Sequence, residues 1–282
     1  MPNYTPKFHI GDPGPQDLYE YLDTVEASQP TSNQELVDEA ASLGHSIGTY
    51  EKVDSGAVLG RLGVVRPEDQ FTYTEMGDSL VDIMYADRNL FNNILHFLYY
   101  TAFDRYPEEH IYSSFTYQKF TNYLFDNAPF DSLSGEKGTI VGEITEIAET
   151  DPDLDLSYTQ SGVSLSTKSL TNYLQYIRDL SPAVNSNDPD ETPGFEPRGF
   201  CPPEILVLAV DYAYQTNDTE YNTLLQGTDE VKRQIQQVCV LTEEGLSDVI
   251  EYADRAYPFF TTKHSYGLRF RLDKQVQLDD LR

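Results

Sequence analysis

The feature that most constrains this chain is the recurrence of apolar residues at helical spacing in most of its segments. Residues 15–28 carry a clear stripe, formed by Leu18, Tyr19, Leu22 and Val25. Apolar residues that recur in this way bury one face of a helix. Strict alternation of apolar and polar residues, typical of a half-buried strand, occurs at residues 268–273. The sequence therefore predicts a mainly α protein with small β-hairpins.

The first pattern covers residues 15–85 and ends in a hairpin followed by a helix. Its predicted helices lie at 15–28, 30–44 and 46–65. The stretch "GVVRPEDQFTYTEMGDSL" then predicts a short strand, a tight turn at Pro67–Asp69, a second strand and a helix from Thr74.

This order of elements, and the motif "YTEMGDSL" in particular, resembles the winged helix-turn-helix superfamily. The resemblance implies a recognition helix at about 47–60, where Lys52 lies between Glu51 and Asp54. That charge is poor for reading DNA, and many winged helices serve only as protein-contact domains. Contact with DNA and contact with protein therefore both stay open for this segment.

Residues 86–135 are rich in aromatic side chains and predict two or three helices packed on the first pattern. We interpret the aromatic residues as core with a partly exposed rim. The alternative is a platform on which nucleic-acid bases stack, although the cations available to it are only Arg88, Arg105 and Lys119.

Residues 136–182 predict a helix-turn-helix-like module with helices at 139–149 and 164–180. In the second helix the apolar positions are Leu165, Leu170, Leu174 and Ile177. Short hydroxyl, amide and cationic side chains on the opposite face suit contacts with phosphates and base edges. The predicted DNA-binding residues are Ser166, Thr167, Lys168 and Asn172, on a face that also carries Tyr173 and Arg178. The alternative is a solvated face in a small helical bundle.

A proline-rich stretch at 183–203 predicts a linker or long loop. Residues 204–282 predict a winged-helix-like C-terminal module, in which helices lead into a hairpin at 258–274 with its turn at "HSYG". The whole chain is therefore predicted to be a tandem array of winged-helix or helix-turn-helix modules, with small hairpin wings and a helical insert at 86–135.

The charge of the chain is strongly acidic, with 47 Asp and Glu against 19 Lys and Arg and a formal net charge of -28. Carboxylates dispersed at this density favour a protein from a salt-loving organism. The rival explanation is an acidic protein that repels nucleic acid and binds cationic partners.

Four cations nevertheless fall within residues 263–274: Lys263, Arg269, Arg271 and Lys274. Such a cluster on the exposed side of one hairpin predicts a wing that binds DNA phosphates. The alternative is that these cations pair with nearby acids, which would contribute little stability.

The sequence contains no motif of the common catalytic classes: no P-loop, no GxGxxG after a strand, no GxSxG and no HExxH. His110 beside Glu108 and Glu109 is the best candidate for a metal ligand, but adjacent side chains diverge. His96, inside an apolar helix, is expected to be a core residue. We predict that the protein is not an enzyme and uses no cofactor or metal.

The sequence shows no secretory signal, and its longest apolar run, residues 90–103, is too short to span a membrane. Cys201 and Cys239 form no CxxC motif and are predicted to be two buried thiols in a reducing compartment. We therefore expect a cytoplasmic protein without membrane contact.

The layout also resembles an uncharacterised family encoded in phage-defence and DNA-modification operons, such as BREX and DNA phosphorothioation. The matching stretches are "FTYTEMGDSL", "DRNLFNNILHFLYYTAF" and "LTEEGLSDVIEYADRAYPFFTTKHSYGL". The chain lacks the tryptophan of the family's middle segment, and the resemblance implies no residue roles. The predicted function is binding of double-stranded DNA in a halophilic archaeon, in regulation or antiviral defence. The alternative is an adaptor subunit that uses the same folds for protein contacts.

Overall fold

The computed structural model describes residues 8, 13–49, 53–109, 111–152, 154–156, 163, 165–184 and 194–282. Over these residues the protein is mainly helical, with small antiparallel hairpins, which confirms the predicted fold class. None of the described helices is long and apolar enough to cross a membrane.

The N-terminal region ends in a hairpin and a helix, as predicted. Its elements are α1 (Pro15–Ser28), α2 (Asn33–Leu43), α3 (Asp54–Arg61), β1 (Val65–Arg66), β2 (Asp69–Tyr73) and α4 (Glu75–Ala86). Ser32 caps α2 by accepting the N–H of Glu35 at 3.2 Å, which satisfies one of the free donors at the helix start. The tyrosine hydroxyl of Tyr21 in α1 donates to the carbonyl of Gln70 in β2 at 2.8 Å and ties the hairpin to the first helix.

The predicted extent of the third helix is wrong. The spacing predicts a helix over 46–65 with a recognition helix at about 47–60, whereas α3 begins only at Asp54. Residues 45–48 have no regular secondary structure, and residues 50–52 lie outside the described residues. Ile47 is buried although it lies in this irregular segment. An apolar residue in register with a helix therefore does not require a helix, because burial can be reached from a loop.

The central region is built around α5. Its elements are α5 (Arg88–Arg105), α6 (Tyr112–Asn127), α7 (Lys137–Thr150) and α8 (Thr167–Arg178). Helix α5 packs against α4, α6, α8, α9 and α10. A helix that is apolar all round belongs in such a position. The aromatic side chains of this region form core, as Tyr117 illustrates by its ring contacts with Tyr99, Tyr173 and Tyr176.

The C-terminal region contains a three-stranded antiparallel sheet in the order β3–β5–β4. Its elements are α9 (Pro203–Thr216), β3 (Leu225–Gln226), α10 (Asp229–Cys239), α11 (Glu243–Ala256), β4 (Phe260–Lys263) and β5 (Arg269–Leu272), followed by a 3₁₀ turn at Leu278–Leu281. Helices precede the hairpin, and the hairpin lies at its predicted place. Strand β3 was not predicted, because a strand of two residues is too short to show any periodicity in the sequence.

Part of the stretch predicted as a linker or long loop is packed into the molecule. Residues 185–193 lie outside the described residues, but Phe195 forms a β-bridge with Phe130, and Arg198 forms one with Leu241. Phe195 is 1% exposed and Arg198 is 4% exposed. One hydrophobic core extends from Leu18 in α1 to the 3₁₀ turn at 278–281, so the N-terminal, central and C-terminal regions share buried contacts.

Candidate functional site

The predicted DNA-binding residues of α8 lie around its N-terminus. Ser166 is the N-cap, and its hydroxyl accepts the N–H of Ser169 at 3.4 Å. Thr167 and Lys168 are exposed, and Asn172 is half-buried. The residues that would complete the surroundings of this helix start, 157–162 and 164, lie outside the described residues.

The prediction that Tyr173 belongs to the exposed face of α8 is wrong. Its side chain is fully buried, and its hydroxyl donates to the carbonyl of Phe8 at 2.5 Å. The ring packs against Phe120 and Tyr117 of α6. Helix α8 therefore buries a wider face than its aliphatic stripe indicated, because an aromatic ring beside that stripe also reaches the core.

Three of the four predicted cations of the C-terminal hairpin, Lys263, Arg269 and Arg271, share one face, whereas Lys274 lies beyond the end of β5. In the register of β4 and β5, Lys263 lies opposite Arg269, and Thr261 lies opposite Arg271. The other face of the strands carries Phe260, Phe270 and Leu272, all fully buried. The alternation in the sequence therefore predicted the hairpin and the facing of its side chains correctly.

Three of these four cations have local partners. The guanidinium of Arg271 donates to Asn222 Oδ1 and lies 3.0 Å from a carboxylate oxygen of Asp273. Arg269 donates to the carbonyl and the hydroxyl of Ser265. Lys274 forms an ion pair with Asp280. The side chain of Lys263 makes no hydrogen bond or ion pair with another described residue, so it is the cation of this hairpin most available to a ligand.

The two predicted DNA-binding sets are held by different parts of the fold. Helix α8 packs against α5, α6 and α7, whereas the hairpin packs against α11 and β3. Their joint use on one DNA duplex remains a prediction that the packing of the described residues does not support.

Helix α11, which packs directly against β4, has a strongly acidic exposed face. Thr242 caps the helix by accepting the N–H of Gly245 at 3.0 Å, and Leu246, Val249 and Ile250 anchor it in the core. The exposed carboxylates are Glu243, Glu244, Asp248, Glu251 and Asp254. The single cation of this helix, Arg255, is paired with Glu251 at 2.9 Å.

Aromatic side chains are also exposed in the C-terminal region. Tyr252 of α11 is 56% exposed and packs edge-on against Phe200, which is 38% exposed, with ring centroids 5.8 Å apart. Tyr266 at the hairpin tip is 99% exposed, with a left-handed φ of 64°. A bulky residue in that backbone region is strained, and its side chain gains nothing from folding.

A cavity of about 560 Å³ lies between α10, α11 and the hairpin. Its apolar lining comes from Leu246, Ile250 and Leu268. Its polar lining includes Asp229, Glu243, Glu251 and Asp254, together with Lys232 and His264. Asp229 is already paired with Lys232 at 2.7 Å. The cavity thus combines an apolar lining with a mostly acidic rim.

The described residues contain no group of three or more His, Cys, Asp or Glu side chains that could hold a metal ion. His110, the candidate ligand of the sequence, lies outside the described residues. His96 is a core residue, as predicted: it is fully buried and its ring nitrogens lie 2.6 Å from the Tyr117 hydroxyl and 2.9 Å from the Val238 carbonyl. Burial lowers the pKa of His96 to about 4, which keeps the ring neutral at physiological pH.

Comparisons with known proteins do not identify the chain: no family model, no curated protein and no solved structure matches it. The candidate surface therefore rests on the geometry of its own residues.

The acidic face of α11 could have been read from the sequence. In "EEGLSDVIEYADRA" the apolar residues of the stripe account for one face, and five of the remaining positions are carboxylates. The exposed pair of Tyr252 and Phe200 could not have been predicted from the sequence, because the two rings are brought together by the packing of the 194–202 segment beside α11.

Proposed function

We propose that the protein is an adaptor whose C-terminal region binds a partner protein through the exposed face of α11 and the hairpin tip. The order helix, strand, helix, helix, strand, strand over residues 203–272 resembles that of a winged helix, in which the third helix is the one that enters a DNA groove. Here that helix is α11. Its exposed carboxylates carry the argument, because they would face the phosphates of a duplex.

The exposed aromatic residues support contact with protein. Tyr252, Phe200 and Tyr266 are of the types enriched at the centres of protein interfaces. The exposed carboxylates of α11 favour a partner whose contact surface carries Lys or Arg. The cations of the hairpin argue less strongly for DNA than their number suggests, since Arg269, Arg271 and Lys274 are engaged by neighbouring groups.

The test compares two double variants in affinity capture from cells that encode the protein, in molar KCl. Tyr252→Ala/Asp248→Lys changes α11, and Ile147→Ala/Glu143→Lys makes the same kinds of change on α7, where Ile147 and Glu143 are also exposed. The amount of captured partner should fall at least about tenfold with the α11 variant. The α7 variant should capture as much partner as wild type, and nuclease treatment of the lysate should not change the captured amount.

Duplex DNA binding is measured in parallel by fluorescence anisotropy, with wild type and with Arg269→Glu/Arg271→Glu. A contact centred on aromatic residues persists in high salt, whereas a complex held by phosphate contacts weakens as salt rises. Duplex binding that the hairpin variant abolishes and the α11 variant preserves would overturn the adaptor proposal and establish the hairpin as a DNA-contacting wing.

A further inference from the structure

Beneath this surface, a buried cluster brings together an arginine and both cysteines of the chain. Cys201 lies two residues before the first residue of α9, and Cys239 is the last residue of α10. Both thiols are fully buried, and the Cys239 thiol donates to the carbonyl of Ile205 in the first turn of α9, with Sγ and the oxygen 3.8 Å apart. Two cysteines that are 38 positions apart in sequence are thus brought together at the point where α9 starts and α10 ends.

Arg198 brings a positive charge into this cluster, and it forms no ion pair with a carboxylate of the described residues. Its guanidinium donates from Nε to the Cys239 carbonyl at 3.0 Å and from Nη1 to Asn93 Oδ1 at 2.8 Å. Its Nη2 is buried and has no hydrogen-bond partner among the residues that the structure describes. The neighbouring groups that would carry an opposite charge on ionisation are the thiols of Cys201 and Cys239. A buried cation in this position is costly unless a neighbouring group can carry negative charge.

The surroundings distinguish the two thiols. Burial opposes ionisation of Cys201, but the neighbouring Cys239 thiol, the charge of Arg198 and the N–H of Leu206 together lower its pKa, against a smaller opposing effect of Glu204. Burial and the neighbouring Cys201 raise the pKa of Cys239. Cys201 is therefore the thiol that forms a thiolate first, as is usual for a cysteine at a helix N-terminus beside a cation.

We propose that Cys201 and Cys239 are a reversible dithiol–disulfide pair, oxidised by low-molecular-weight disulfides, in which Cys201 is the attacking thiol. The Cys201 thiolate attacks one sulfur of the small disulfide, the small S–S bond breaks, and one small thiol leaves with a proton. Cys239 then loses its proton and attacks Cys201, which releases the second small thiol. Two protein thiols and one small disulfide thus give one internal disulfide and two small thiols.

The position of the pair links its redox state to the proposed docking surface. Cys239 leads into the turn between α10 and α11, and this turn is held by backbone hydrogen bonds from Arg198 to Val240 and from Thr242 to Arg198. Phe200, beside Cys201, is the ring that packs on Tyr252 of α11. A disulfide would covalently fix the start of α9 to the turn before α11. Because both thiols are fully buried, their oxidation requires a local opening, and the residues beside Cys201 that are exposed are Gly199 and Phe200.

The experiment uses the full chain in its folded state. Reduced protein is incubated with oxidised glutathione over a series of ratios to reduced glutathione, free thiols are then alkylated under denaturing conditions, and intact masses are recorded. We expect conversion to a species that is lighter than reduced protein by two hydrogen atoms and takes up no alkylating agent. Its thermal midpoint should be higher, because the cross-link restricts the unfolded chain.

Matched serine variants assign the attacking thiol. Cys239→Ser should stop at a glutathione adduct on Cys201, whereas Cys201→Ser should react at least about tenfold more slowly, because its remaining thiol is less ionised. Arg198→Met should move the pH profile of Cys201 alkylation to higher pH, and Arg198→Lys should restore part of that shift. If Arg198→Met does not fold, the wild-type and serine measurements still decide the matter. Wild type that stays reduced at every glutathione ratio, or equal rates for the two serine variants, would overturn the proposal.

Discussion

The N-terminal and C-terminal regions share two structural devices but differ in the surface that they expose. In each, a buried tyrosine of the first helix binds the second strand of the hairpin: Tyr21 contacts Gln70, and Tyr214 contacts Phe270. In each, a Thr-Glu-x-Gly sequence starts a helix, at residues 74–77 and at 242–245.

The two Thr-Glu-x-Gly helices occupy different places relative to their hairpins. Helix α4 follows its hairpin and packs against β2 and α5, whereas α11 precedes its hairpin and has one side open to solvent. The shared motif therefore indicates how a helix starts, with a Thr N-cap and a Gly that packs closely against neighbouring backbone. It carries no information about function, which depends on what the free face of the helix presents.

The largest expected effect on stability comes from substitutions that test how closely each helix start packs against neighbouring backbone. A Cβ on Gly77 would lie 2.0 Å from the carbonyl oxygen of Val64, and a Cβ on Gly245 would lie 2.7 Å from that of Gly199. We expect Gly77→Ala to lower the free energy of unfolding by about 3 kcal/mol and Gly245→Ala by about 1 to 2 kcal/mol, because overpacking against backbone exceeds the gain in helix propensity. Denaturant unfolding in molar KCl measures both.

Gly142→Ala in α7 is the matched control. No atom of the described residues lies within 4 Å of the position that its Cβ would take. It should raise the free energy of unfolding by about 0.5 to 1 kcal/mol, since only helix propensity changes. Equal losses of unfolding free energy for Gly77→Ala and Gly245→Ala would show that the two helix starts pack equally closely against backbone. That result would weaken the contrast between the regions.

The hydrogen bonds of the buried tyrosines Tyr214 and Tyr21 should give the next largest effect on the free energy of unfolding. The Tyr214 hydroxyl lies 2.7 Å from the Thr223 carbonyl and 2.9 Å from the Phe270 carbonyl, and it accepts the N–H of Leu272 at 3.1 Å. Tyr214→Phe leaves that buried N–H without a partner, so we expect a loss of about 2 kcal/mol. Tyr21→Phe removes one donor to Gln70 and should cost about 1 kcal/mol. The comparison is made by unfolding in denaturant, and a larger loss for Tyr21→Phe would contradict it.

The smallest expected difference concerns the threonine caps. Thr242 accepts the N–H of Gly245, and Thr242→Ala should cost about 1 kcal/mol. Thr74 accepts the N–H of Gly77 and also donates to the carbonyl of Gly63 at 2.6 Å, so Thr74→Ala should cost about 1.5 kcal/mol. Thermal unfolding of the two variants side by side is sufficient, and Thr→Ser at each site, which keeps the hydroxyl, serves as control.

Local features were well predicted because short-range chemistry determines them. Helical periodicity located α1 and α2, and alternation at 268–273 gave the facing of Arg269 and Arg271. These features depend on a few neighbouring residues.

Features that depend on distant residues could not be predicted in this way. Arg198 lay in a stretch predicted as a linker or loop, yet it reaches Asn93 in α5 and the carbonyl of Cys239. The engagement of Arg271 by Asn222 likewise depends on a segment 49 positions away. Whether the hairpin cations and the α8 residues bind DNA stays a prediction, because charge clustering in sequence does not show which partners fold beside it.

The central position of α5 has a consequence for how the chain folds. Helices α5 and α6 are successive and pack together, so their contact closes only a short loop. The contact of His96 in α5 with Val238 in α10 joins positions 142 residues apart, and it requires a much larger loss of chain entropy before it forms. We expect the α5–α6 pair to form early and the C-terminal region to dock late, so that this region limits the folding rate although it has its own sheet.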